Sequence, residues 1–248
     1  MLILLPPSEG KTPPARGVAL DLARLSFPEL TATRSSVLDA VAEVSRRDDA
    51  PERLGVSPNL GAEIARNTRL VTAPTAAAGR VYSGVLYEAL GLATLDTASR
   101  RRAGRWLLVV SALFGAVRMG DRIPAYRLSM SVNLPPIGPL VTAWRGPLAA
   151  ALPRVAGRGL IVDCRSSTYA AAWVPRSPLA RRWVQIRVLG ATYLAKHTRG
   201  LVARHLCEVG LDVRTPGALA AVVGQRFAVE LTPPARPAQP WILDASVR

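Results

Sequence analysis

The sequence predicts an α/β fold, and three observations carry the prediction. Residues 2–5 (LILL), 106–110 (WLLVV) and 159–163 (GLIVD) are short apolar runs without alternation, as strands buried on both faces should be. Segments with apolar residues at helical spacing lie between and after them. Each run then empties into a loop dense in small and polar residues, where an open α/β sheet places a ligand. With 248 residues the chain can bury one large core or two small ones.

The first strand, 2–5, runs into PPSEGKT, which sets Ser8, Glu9, Gly10, Lys11 and Thr12 at a strand end. Gly10-Lys11-Thr12 resembles part of a phosphate-binding loop. The earlier glycine of such a loop is missing, and Pro6 and Pro7 withhold backbone donors, which argues against a nucleoside triphosphatase. A looser anion site from Lys11, Thr12 and the Gly10 amide remains. Residues 13–33 lack periodicity and read as an arm laid over the surface. Residues 35–46 read as an amphipathic helix with Val37, Leu38, Val41, Ala42 and Val44 inward. Helical spacing resumes over 58–68, with Leu60, Ile64 and Ala65 inward; 73–79 is a linker. Residues 81–90 read as one helix bearing Tyr82, Ser83 and Tyr87, and 98–103 as the basic end of another.

The stretch 106–130, WLLVVSALFGAVRMGDRIPAYRLSM, is the centre of the chain. Its strand breaks into glycine-rich sequence that is expected to bring Arg118, Asp121, Arg122, Tyr126 and Arg127 together. Leu134-Pro135-Pro136-Ile137-Gly138 and the apolar helix after it resemble a helix-hairpin-helix DNA element over 131–152, with Pro136 at the first glycine position. The strand at 159–163 ends in a polar cluster of Asp163, Arg165, Ser166, Ser167 and Tyr169, with Ser166 or Ser167 as a helix N-cap. Neither serine has a Gly-x-Ser-x-Gly setting, so a serine hydrolase is not expected. Alternation over 183–189 predicts another strand. A helix over 192–209, closed by Gly210, carries Lys196 and Arg199 near one face. A short helix at 215–223 and a last strand at 227–231 precede a proline-rich tail.

Charge narrows the functional classes. The net charge of +15 favours an anionic partner, nucleic acid first among them. The cations are thirty arginines and only two lysines, a bias that GC-rich coding also produces. In such a chain Lys11 and Lys196 stand out, because lysine alone of the two gives up its proton and serves as base or nucleophile. His197, His205, Cys164 and Cys207 show no metal-ligand spacing, so no metal and no cofactor are expected. Two cysteines make no disulfide framework, and the apolar run at 2–5 is too short for a signal peptide or a span. The chain is expected in the cytoplasm, away from membranes.

LLPPSEGKT, VYSGVLYEALG, SALFGAVRMGDRIPAYRLSM, VDCRSSTYAAAW and AKHTRG, in that order, resemble the YaaA family of peroxide-stress proteins. The resemblance covers nearly the whole chain. It implies one compact domain over 1–248, with a central mixed sheet flanked by helices, and an Arg-rich cleft that binds duplex or distorted DNA. Ser8, Glu9, Lys11, Tyr82, Ser83, Gly84, Arg118, Asp121, Pro124, Tyr126, Arg127, Asp163, Lys196, His197 and Arg199 match the family pattern. The chain departs from it at Val117-Arg118-Met119, at Pro136 and in a shortened segment before Lys196. Two functions follow as expectations. One is DNA binding, with phosphate contacts from Ser8, Glu9, Thr12, Tyr82, Ser83, Arg118, Asp121, Arg127, Arg165, Ser166, His197 and Arg199. The other is an enzyme acting on a small anionic or nucleotide-like substrate, with Lys11, Lys196, Asp163 and Tyr126 as its catalytic groups.

Overall fold

A computed structural model describes residues 1–190 and 192–247. Its main sheet uses β1 (Leu2–Leu5), β2 (Leu107–Ser111), β3 (Gly115–Arg118), β4 (Ile161–Asp163), β5 (Trp183–Arg187), β6 (Phe227–Thr232) and β7 (Trp241–Val247). Their order across the sheet is β6-β7-β5-β4-β1-β2-β3. The middle five are parallel, and the edges β6 and β3 are antiparallel to their neighbours. Mixed pairing follows from burial. The residues of β1, β2 and β4 are buried throughout, because helices cover both faces, as a parallel sheet requires. The edge strand β6 instead alternates buried or partly buried residues with exposed ones.

The main helices are α1 (Thr31–Val44), α2 (Val85–Leu90), α3 (Thr97–Trp106), α4 (Leu140–Ala156), α5 (Thr192–Val209) and α6 (Pro216–Val223). Asp96 caps α3 by accepting from the Ala98 and Ser99 amides, and Thr215 caps α6 by accepting from Ala218. On α1 the expected stripe of Val37, Leu38, Val41 and Val44 is buried, and Arg34 is buried beside it. Arg34 donates to the carbonyls of Ser26, Phe27, Phe114 and Ala116, tying the 26–27 arm to the β2–β3 turn. Burial lowers its pKa to about 10.

Five expectations are corrected. The helix expected over 81–90 is two, Ala78–Val81 and α2, because Gly84 breaks between them at φ +89°. Ala65 is exposed rather than inward. The glycine-rich sequence after β2 is a hairpin into β3, so Arg118 lies on an edge strand. Over 131–152 a two-stranded ribbon, Asn133–Leu134 with Gly138–Pro139, precedes α4; no helix stands on the other side of the turn, so the segment is not a helix-hairpin-helix. The proline-rich tail ends in β7, which inserts between β6 and β5 with Leu243 and Ala245 buried at strand spacing.

Candidate functional site

Strand order opens a crevice at the carboxyl ends. The chain leaves β1 toward β2 and leaves β4 the other way, toward β5, so the two loops part. A cleft of about 310 Å³ lies there. Its walls come from residues 6–10 after β1, from Ser83, Gly84 and the start of α2, from Ser166 and Tyr169 after β4, and from Ala195, Lys196 and Arg199 of α5. A second cleft of about 140 Å³ shares Ser8, Glu9 and Tyr169 with the first and adds Lys11, Arg127, Ser129 and Ser131.

The loop after β1 is stapled in place. The backbone of Lys11 bridges that of Tyr82, and the Thr12 amide donates to the Val81 carbonyl (2.9 Å). The Ser83 amide donates to Ser8 Oγ (3.0 Å), which itself donates to the Gly10 carbonyl (2.5 Å). Tyr87 donates its hydroxyl to the Pro6 carbonyl (2.7 Å). The opposite wall depends on Gly200: a Cβ there would strike the Leu86 carbonyl, so only glycine lets α5 lie this close to α2.

Lys11 is the chemically distinctive group. Its Nζ donates to the carbonyls of Ser8 (2.7 Å) and Glu9 (3.3 Å) and sits 4.1 Å from the centre of the Tyr126 ring and 5.8 Å from that of Tyr82. The two phenols bond each other (3.0 Å), and Tyr126 also bonds Ser111 Oγ (2.7 Å) at the end of β2. Burial pushes both phenols far up, so both are neutral. Arg127 takes the carboxylates of Glu9 (2.9 Å) and Glu63 (3.4 Å). Asn67 holds the Arg127 peptide through both its amide atoms. Among the described residues Lys11 has no carboxylate partner. Burial first, then the Arg127 charge, bring its pKa down to about 7. A lysine so placed carries a sizeable neutral fraction at pH 7 and is competent as base or nucleophile.

The other sequence candidates divide by place. Ser8, Glu9, Ser83, Ser166, Lys196 and Arg199 line the larger cleft; Lys11 and Arg127 line the smaller, with Tyr82 and Tyr126 beneath Lys11. Arg199 is steadied by donating to the Ile186 carbonyl (3.2 Å). Thr12 is exposed and lines neither cleft; His197 stacks on Tyr193 instead. Asp163 and Arg165 are fully buried and line neither cleft. Asp163 accepts twice from the Arg165 guanidinium (2.7 and 2.8 Å), once from its amide (3.0 Å) and once from Trp183 Nε1 (3.0 Å). Both of its oxygens are thus engaged by Arg165 and Trp183, away from either cleft. Burial holds the Cys164 thiol up at about 12.

Arg118 and Asp121 also lie elsewhere. Asp121 accepts from Ser26 and from the Arg118 amide, closing the turn after β3. Arg118 donates to the Arg105 carbonyl (2.9 Å), and Arg122 to that of Thr75 (2.6 Å). The expected meeting of Lys11, Arg118 and Lys196 is therefore corrected: the lysines line adjoining clefts and Arg118 does not, because its strand turns back along the sheet edge. Sequence reasoning missed Glu63, Asn67 and Ser111. The first two sit in a segment whose spacing announced only a helix, and Ser111 read as the first small residue of the break after the strand, whereas it ends β2.

Comparison with known proteins decides the family. The sequence profile described as peroxide stress protein YaaA matches residues 1–231. The chain belongs to the YaaA family. A UPF0246 protein of Streptomyces coelicolor is 47% identical over 256 residues, covering 100% of this chain and 98% of the relative. One from Corynebacterium efficiens is 42% identical over 242 residues, covering 93% and 95%. One from Ruegeria sp. is 29% identical over 255 residues, covering 96% and 98%. This YaaA chain is thus an actinobacterial-like member, and the residues of both clefts fall inside the matched span. Among the described residues no helix is long and apolar enough to cross a membrane.

Proposed function

We propose that this YaaA chain is a cytoplasmic DNA-binding protein of the peroxide-stress type, holding the duplex through its phosphates. One observation carries the reading. Arg24, Arg80, Arg105, Arg118 and Arg122 gather around the turn after β3. Arg24 and Arg122 line one depression, Arg118 bonds the Arg105 backbone, and the Gly79 amide beside Arg80 bonds the Met119 carbonyl. Among the described residues none of the five has an ion-pair partner, and four are exposed, with Arg118 half-buried. A patch of unpaired guanidinium groups gains by releasing counterions from a polyanion. This moves the expected DNA surface from the cleft to the sheet edge.

The test is a titration of a short duplex between about 50 and 200 mM salt. With five phosphate contacts, log affinity falls against log salt with a slope of about −4 to −5. Replacing Arg105 and Arg122 by Gln is expected to reduce that slope by about two at every sequence tried. A flat salt dependence, or a slope unmoved by the double substitution, defeats the reading.

The paired clefts favour a second reading, binding and turnover of a small anionic or nucleotide-like molecule. Its support is the setting of Lys11 together with Lys196 and Arg199 across a shared wall at the strand switch point. Titration of adenosine monophosphate by calorimetry tests it: the reading expects saturable binding that weakens when Lys196 and Arg199 are both made Ala.

A further inference from the structure

The two lysines of this chain stand in opposite settings. Lys196 is exposed, whereas Lys11 is half-buried, with its Nζ held by two carbonyls and laid over a tyrosine ring. Among the described residues the charges acting on Lys11 are those of Arg127, Glu63 and Glu9. Glu9 from its own loop and Glu63 from the 61–66 helix are both taken by Arg127, while Tyr82 and Tyr126 are neutral. Tyr169, which lines the same cleft, is held up at about 12 by burial. Both carboxylates still act on the amine through space, but neither ion-pairs with it among the described residues, and open space of about 140 Å³ lies beside it. A lysine kept only as a cation is better served by the reverse, a direct carboxylate partner.

We propose that Lys11 is a nucleophilic amine whose partner is a small aldehyde or ketone held in the smaller cleft. The inference rests on the second reading above, not on DNA binding. The Nζ lone pair adds to the carbonyl carbon as the C=O π pair moves onto oxygen, and the amine proton passes to that oxygen, giving a carbinolamine. Loss of its hydroxyl together with the second amine proton, as water, leaves an imine. No oxidant or reductant takes part.

The experiment uses the full chain, propanal and sodium cyanoborohydride, which fixes an imine as a stable secondary amine, with peptide mapping by mass spectrometry. At pH 7.5 Lys11 is expected to label about tenfold faster than Lys196, with its rate rising through pH 7. The remaining amine, at Met1, is paired with Asp212 at 2.6 Å. Arg127→Gln frees Glu9 and Glu63 to pair with Lys11 and is expected to slow labelling severalfold, while Arg127→Lys keeps it. Equal labelling of both lysines, preference for Lys196, or a rate unchanged by Arg127→Gln overturns the proposal. Adenosine monophosphate binding is read on the same samples. Binding without selective labelling defeats the reactive amine and spares the cleft reading; selective labelling without binding does the opposite.

Discussion

The loops after β1 and β4 look alike in sequence and differ in what they do. Each follows a buried strand, and each puts an acid beside a cation: Glu9 with Lys11, Asp163 with Arg165. After β4 the pair closes on itself, two residues apart, with a bidentate contact and no exposure of either side chain. After β1 the acid turns away to Arg127, 118 positions along the chain, and the lysine is left with carbonyls and rings. Planar guanidinium matches a carboxylate and locks. Ammonium does not, and the same kind of polar cluster stays open to a cleft. Pairing, more than composition, separates the pin from the candidate reactive site.

The largest effect is expected where the pin is broken. Asp163→Ala leaves a buried guanidinium without its counter-charge and should cost about 3–5 kcal/mol in urea unfolding. A loss below about 1 kcal/mol would show that Arg165 is held by the Tyr169 and Trp173 carbonyls alone.

Lys11 should behave in the opposite sense. Its pKa is about 7 in the folded protein against an ordinary 10.5, so between these values the unfolded chain binds the extra proton. Stability then rises with pH across that window, and the full penalty is present below about 7. Relative to Lys11→Met, the wild-type chain is expected to gain on the order of 2–4 kcal/mol between pH 7 and 10.5. Urea midpoints of the two proteins measured across that range check the sign; a relative loss would mean an ion pair on Lys11.

Lys196 sharpens the contrast at the small end. Being exposed, it should contribute nothing measurable to stability. Lys196→Ala should weaken anion binding and leave the duplex salt slope unchanged if DNA lies on the arginine patch, or lower it by about one if the phosphates enter the cleft. Lys196→Arg should be tolerated in both titrations. Severe loss in Lys196→Arg would mean that the anion is recognised by a compact ammonium and not by positive charge alone.

The sequence by itself determined the α/β class, strands placed at 2–5, 106–110, 159–163 and 183–189 that the structure holds within two residues at each end, and the long α5 helix, because hydrophobic period is a local property. It also singled out both lysines and the PPSEGKT loop. Tertiary structure alone decided the rest. That β7 threads between β6 and β5 depends on pairing with its neighbour β6 on one side and with β5, more than fifty positions back, on the other, and its proline-rich approach hid the strand. That Arg118 faces the sheet edge, that Asp163 is spent on Arg165, and that Glu9 and Glu63 leave Lys11 for Arg127 are facts of pairing. A carboxylate in sequence announces a charge. Only packing chooses which cation it neutralises, since partners 64 and 118 positions apart meet through the fold and not through spacing.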